Sequence, residues 1–222
     1  MATQLDLQEQ EQLDDLKAFW KQYGSLITWV LVLALGGFAA WNGWNLWQRS
    51  QATKAAALYD ELERVVQAGD VERSARAFAD LKERYPRTAQ AEQGGLLVAK
   101  LQYDKAQADA ALATLAWVAD NATEDEYRTV ARLRTAGVLF DKKQYDEALK
   151  QLDAAKAPSF EALVADRRGD VLLAQGKKDE AKAAYQAAWK AMDSKLEYRR
   201  LIDAKLTALG AAPEAAASGV AP

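Results

Sequence analysis

The chain has 222 residues, 50% of them hydrophobic, with 29 basic and 32 acidic residues and neither cysteine nor histidine. That length suits one substantial domain with a short anchor or tail. The composition removes disulfides, Cys/His zinc sites, haem ligation, cysteine nucleophiles and any Ser-His-Asp arrangement. The lack of a basic excess argues against a nucleic-acid partner, which would need a face of Lys and Arg to displace counterions.

Residues 1–23 are acidic: Asp6, Glu9, Glu11, Asp14 and Asp15 stand against Lys17 and Lys21. In the rest of the chain the two signs balance. Leu13, Leu16 and Trp20 fall at helical spacing, so this acidic tail reads as partly an amphipathic helix.

Between Gln22 and Gln48 there is no charged residue, and Gly24 to Trp47 is almost wholly apolar or aromatic. About 20 such residues, rising ~1.5 Å each, cross a ~30 Å hydrocarbon core. Trp20 and Tyr23 at one end, and Trp41, Trp44 and Trp47 at the other, suit the two headgroup layers. A buried core helix is usually shorter and carries charge, and a cleaved signal peptide needs a short basic start. The segment 24–47 is therefore read as a transmembrane helix. Lys17 and Lys21 on one flank balance Arg49 and Lys54 on the other, so charge does not set its direction. Gly36, Ala39, Ala40 and Gly43 lie three and four residues apart and give a smooth face on which a second membrane helix could pack.

From Ala52 the periodicity is helical, with no alternating run to suggest strands. Thr123-Glu-Asp-Glu126 and Ser194-Lys-Leu-Glu197 have the form of capping boxes, and Asp70 and Asp179 are further N-cap candidates. Ala136-Gly-Val-Leu139, followed by Tyr145, Ala148, Leu152 and Ala155, recurs 33 residues later as Gly169-Asp-Val-Leu172, followed by Lys178, Ala181, Tyr185 and Ala188. Small residues at Ala136/Gly169 and Ala148/Ala181 let the two helices of a hairpin approach, and Leu152/Tyr185 fill the gap to the next unit.

This pattern resembles the tetratricopeptide repeat (TPR). The fold expected is all-α: the N-terminal transmembrane helix, then a TPR-like α-solenoid over 48–209. Its units are four hairpins at about 55–87, 90–121, 126–156 and 160–191, closed by a capping helix from Ser194 to Leu209. The tail 210–222 lacks core-forming periodicity and is expected to be disordered.

Taken with Glu9-Gln-Glu-Gln-Leu-Asp-Asp-Leu-Lys-Ala-Phe-Trp-Lys-Gln-Tyr-Gly24 running into the span, and with Val130-Ala-Arg-Leu-Arg134 and Ala165-Asp-Arg-Arg-Gly-Asp170, the chain resembles the YfgM family of ancillary SecYEG translocon subunits. The resemblance implies a single-pass protein of the bacterial inner membrane, N-terminus cytoplasmic and repeat domain periplasmic. It implies partners in the SecYEG translocon, the periplasmic chaperone PpiD and translocating client proteins. It carries over no catalytic residue, cofactor or metal.

Mapping the repeat turns Tyr59, Leu96, Tyr103, Leu133, Phe140, Asp166, Asp170 and Leu173 toward the face lined by the first helix of each hairpin. Aromatic and aliphatic side chains with two carboxylates would suit an apolar peptide bearing a basic group. The same apolar positions also suit inter-repeat core. Asp14-Asp15, Asp125-Glu126 and Asp179-Glu180 sit at helix starts or on exposed faces, where the helix dipole explains them without catalysis. The expectation is a membrane-anchored interaction scaffold and not an enzyme. The alternatives are a structural organiser of another envelope complex and a regulator of an envelope enzyme.

Overall fold

The structure is a computed structural model that describes residues 7–212, with side chains from Gln12 onward. Among the described residues there are nine α-helices, one short 3-10 turn and no strand. Of the tail expected to be disordered, 213–222 lies outside the described residues, as do the side chains of Asp6, Glu9 and Glu11.

The first helix, α1, runs without a break from Leu7 to Gln67. The chain divides into two compact units within it, 1–51 and 52–222. In the first unit α1 is long and apolar enough to cross a membrane. Leu26, Trp29, Leu33, Leu35, Phe38 and Trp41 are all exposed along it, a surface suited to lipid and costly in water. Trp44 and Trp47 pack ring to ring at 5.2 Å near the end of its apolar stretch.

The second unit begins with the end of α1 and continues through α2 (Val71–Arg84), α3 (Ala89–Asp104), α4 (Ala108–Asn121), α5 (Asp125–Asp141), α6 (Tyr145–Ala154), α7 (Glu161–Ala174), α8 (Lys178–Ala191) and α9 (Tyr198–Ala208). Four antiparallel hairpins result: the end of α1 with α2, then α3 with α4, α5 with α6, and α7 with α8. Their apolar faces form one chain of buried clusters. Ala55 and Leu62 of α1 meet Phe78, Leu81 and Val98. Leu115 and Val118 meet Ala131 and Val138. Leu139 and Leu152 meet Val164 and Val171, and Tyr185 meets Ile202 and Leu206 of α9.

All four hairpins turn in the same way. The second residue after each first helix is left-handed: Gly69 (φ +73°), Ala106 (φ 60°), Lys143 (φ 59°) and Gly176 (φ +80°). The next backbone N–H then reaches five residues back, as in Gln107 to Gln102 (2.8 Å), Gln144 to Leu139 (2.9 Å) and Lys177 to Leu172 (3.0 Å). This is the Schellman closure, which satisfies carbonyls that a helix end leaves unpaired.

Helix starts differ in part from expectation. Asp70 caps α2 by accepting the Arg73 N–H at 3.0 Å. Thr123 does not cap α5: its own N–H is taken by Glu92 Oε1 at 2.7 Å, and the helix starts at Asp125 with no side-chain cap. Ser194 does not cap α9, because Asp193 accepts the Lys195 N–H at 2.9 Å and forms a local turn, and the helix waits until Tyr198. Asp179 lies inside the first turn of α8, whose start is fixed by the Gly176 turn. Thr88 supplies a cap that the sequence reading missed, accepting the Ala91 N–H at 3.3 Å.

Glu92 is 1% exposed, and its Oε2 accepts no hydrogen bond among the described residues. Burial, partly opposed by the Thr123 N–H, raises its carboxyl above the usual range. With the folded value above the unfolded one, its stabilising contribution is full below the ordinary value of 4.5 and is lost as pH rises through the folded value. Glu92→Gln is therefore expected to match the parent near pH 4 and to unfold at higher denaturant as pH rises to 8. An advantage that stays constant across that range would show that Glu92 is not the titrating group.

Candidate functional site

The first helices of the second, third and fourth hairpins line an open cleft of about 470 Å³. From α3 come Lys100, Tyr103 and Asp104; from α5 come Arg134, Gly137, Phe140 and Asp141; from α7 comes Arg167. Residues 134, 137 and 141 follow one face of α5 because they are spaced by three and four, so the cleft extends about 10 Å along that helix. Its floor is apolar, formed by Ala99, Leu115 and Val138.

Charge in the cleft is paired on one side and open on the other. Lys100 bridges to Asp104 within α3, and Tyr103 donates its hydroxyl proton to Asp141 across the two helices. That acceptor holds the Tyr103 phenol above its usual value. Arg134 donates from Nη1 to the Leu96 carbonyl at 2.8 Å and has no carboxylate in ion-pair range among the described residues. Arg167 has only a long contact, 3.7 Å, to Asp170.

Gly137 opens the cleft. A Cβ built on it would meet nothing within 4 Å, so no neighbour in the chain requires it to be small. An interior helical glycine costs about 1 kcal/mol relative to alanine. Gly137→Ala is expected to raise the stability by about that amount, read from the unfolding midpoint; a loss instead would point to crowding at this position.

Tyr103 and Phe140 both line this cleft. The other candidate positions lie elsewhere. Leu96 is 8% exposed and belongs to the core beside Leu115 and Val118. Leu133 packs against the cluster around Leu152, and Tyr59 against the one around Leu62. Leu173 is exposed on α7. Gly36, Ala39, Ala40 and Gly43 lie along the exposed apolar stretch of α1, with open space over each glycine.

Asp166 and Asp170 do not await a basic group from a partner, because the chain supplies its own. Asp166 is 2% exposed and takes Lys205 Nζ of α9 at 2.8 and 2.9 Å on its two oxygens, with the Tyr198 hydroxyl at 2.8 Å. Asp170 accepts Lys205 at 2.7 Å and the Tyr185 hydroxyl at 2.8 Å. These carboxylates fasten the capping helix to the last hairpin.

The residues that sequence reasoning missed are Lys100, Asp104, Arg134, Gly137, Asp141 and Arg167. Arg134 and Arg167 lie in the two arginine-bearing stretches quoted above for the family likeness, and Gly137 lies in the repeated segment, one position from its small residue Ala136.

Comparison with known proteins agrees with this architecture. A family model described as "Tetratricopeptide repeat-like domain" matches residues 17–211. Two solved structures of a Podosopora anserina kinesin light chain with nearly identical TPR-like repeats superpose with TM-scores of 0.53 and 0.51 at 15% identity. They cover 71% of this chain and 85% and 86% of their own, a likeness of fold. The "Ancillary SecYEG translocon subunit" of Neisseria gonorrhoeae is 31% identical over 91% of this chain and 98% of its own length. Proteins of the same name from Haemophilus influenzae and Escherichia coli are each 30% identical over 82% of this chain, covering 89% and 87% of their own lengths. On this evidence of sequence and fold, the chain belongs to the family of ancillary SecYEG translocon subunits built on a tetratricopeptide repeat-like domain.

Proposed function

We propose that the chain is a non-enzymatic, membrane-anchored scaffold that sits beside the SecYEG translocon and links newly translocated proteins to periplasmic chaperones, PpiD among them. The observation that carries this reading is a likeness to relatives of that name that extends over nearly their whole length. It therefore covers the apolar helix as well as the repeats. In this reading α1 spans the inner membrane once, with the N-terminus cytoplasmic and the repeat domain periplasmic. Its Gly36, Ala39, Ala40 and Gly43 face packs on a translocon helix. The cleft at Tyr103 and Phe140 holds protein segments, as grooves of stacked hairpins do. Engagement of the clustered carboxylates Asp166 and Asp170 by Lys205 supports an interaction role over a catalytic one.

Photocrosslinkers placed at Gly36, Ala40 and Gly43 in cells are expected to yield adducts with SecYEG subunits, and one at Tyr103 adducts with PpiD or a translocating chain. Adducts to lipid alone from the helix would remove the packing face, and absence of any protein adduct from Tyr103 would remove the cleft. Protease added to spheroplasts should digest the repeat domain; protection until lysis would reverse the orientation.

A further inference from the structure

The cleft over Gly137 has a counterpart one repeat later within the same chain. The 33-residue offset that aligns Ala136-Gly-Val-Leu139 with Gly169-Asp-Val-Leu172 sets Arg134 on Arg167 and Gly137 on Asp170. In α7 that register holds an arginine and a carboxylate three residues apart, with Asp170 Oδ2 3.7 Å from Arg167 and Oδ1 2.7 Å from Lys205 of the next helix in space. In α5 the arginine is kept and the carboxylate is missing. Among the described residues Arg134 has a neutral carbonyl and no carboxylate as partner, and α7, the first helix of the next hairpin, contributes Arg167 to the same cleft. Space stands open over Gly137, where the absent side chain would be. Desolvation pulls the Arg134 guanidinium below its ordinary value, as expected of a cation that water reaches incompletely.

We propose that a carboxylate from outside the chain completes this register: the cleft receives an aspartate or glutamate side chain of an extended protein segment, set over Gly137 between Arg134 and Arg167. An apolar side chain two residues along the same segment lies against Phe140 and Tyr103. The inference rests on the reading of the cleft as a docking site for protein segments. The spacing follows from the two backbones. From midway between Arg134 and Gly137 to Phe140 is about 7 Å along α5, and residues i and i+2 of an extended chain share a face at about that separation. The side-chain carboxylate of an interior residue is chosen over a chain end because the cleft is open and extends only about 10 Å along α5, so a segment lying along that helix continues past the arginines. A basic peptide, the occupant suggested by Asp166 and Asp170, finds those groups already bound to Lys205.

The test uses the full chain in detergent micelles and a fluorescent peptide Gly-Ser-Gly-Glu-Ser-Phe-Gly-Ser-Gly, capped at both ends and followed by anisotropy. It is run beside peptides with Gln or Lys in place of Glu and beside one that ends in a free carboxylate at that position. The Glu peptide is expected to bind at least about tenfold more tightly than the Gln peptide, the smallest effect expected of a charged hydrogen-bonded pair. Arg134→Gln and Gly137→Asp, the second placing a carboxylate beside Arg134 as Asp170 lies beside Arg167, should each erase that preference. Thermal melts report folding of both variants, and if Gly137→Asp fails to fold, Arg134→Gln decides alone. Equal binding of the Glu and Gln peptides, preference for Lys, binding only of the free carboxylate end, or a preference that survives Arg134→Gln would each overturn the proposal. Protein adducts from Tyr103 in cells, with no preference for Glu, would sink this inference and leave the docking reading standing. Loss of the adducts as well would take both.

Discussion

Lys205→Met is expected to lower the unfolding free energy by about 3 kcal/mol, the lower end of what breaking a buried ion pair costs. The lysine joins two carboxylates, and its removal leaves Asp166, whose side chain is 3% exposed, without its cation and beside Asp170. Methionine keeps most of the apolar stem, so the loss reads the charge and not the packing. The lower end applies because Lys205 retains 22% exposure and Asp166 keeps the Tyr198 hydroxyl. Lys205→Arg should recover a large part, and faster amide exchange confined to Tyr198–Ala208 would locate the damage in α9. The Tyr198 phenol gives a spectroscopic check. Burial, together with the Asp166 carboxylate that accepts its proton, pushes it up to about 12. Since the folded value is above the ordinary 10.0, this contribution is complete below pH 10 and is lost as pH rises through about 12. Release of α9 returns the phenol toward its ordinary value. A destabilisation below about 1 kcal/mol, the size of an exposed pair, would mean the lock is solvated.

Gly169→Ala is expected to cost about 2 kcal/mol, against the usual helix-propensity gain of up to about 1. A Cβ there would lie 2.4 Å from Tyr185 Cε1 and 2.5 Å from Cδ1. The ring cannot retreat easily: Tyr185 is 1% exposed and its hydroxyl is fixed on Asp170. One repeat earlier the same contact is built from Ala136 and Leu152. The double variant Gly169→Ala, Tyr185→Leu should therefore show favourable coupling of about 1 kcal/mol or more in a double-mutant cycle, even though Tyr185→Leu alone loses a hydrogen bond. Additive losses would mean that the two residues do not constrain each other. Set beside Gly137→Ala, which is expected to stabilise, the pair separates a glycine needed by the core from one the core does not use.

These contrasts explain how far the sequence alone could be read. The apolar run of α1 and the 33-residue register were legible because both are local periodicities. The continuity of α1 through Arg49 to Lys54 was not, since a shift from apolar to polar composition looks like a boundary although no residue there interrupts a helix. The sequence does not show that Asp166 and Asp170 are already engaged, because their cation is 35 to 39 residues away, on a helix whose position over α7 is a tertiary fact. Position in the repeat turns Leu96 toward the groove, but the neighbouring hairpin covers it, which the repeat pattern alone does not show. The cleft was half legible: Tyr103 and Phe140 stand out as aromatics. Gly137 and Arg134 gain meaning only from space and from an absent counter-charge.

The common turn of the four hairpins bears on the order in which the chain acquires its structure. Each turn closes through bonds between residues five apart, and even Ala106 and Lys143, which lack glycine's freedom, adopt it. Contacts this local form early, so a hairpin can close once its own two helices are available, without waiting for distant partners. The lock from Lys205 to Asp166 spans 39 residues and needs α7 and α9 together. During synthesis from the N-terminus the hairpins therefore assemble one upon another, and the last hairpin is fastened only after α9 has emerged.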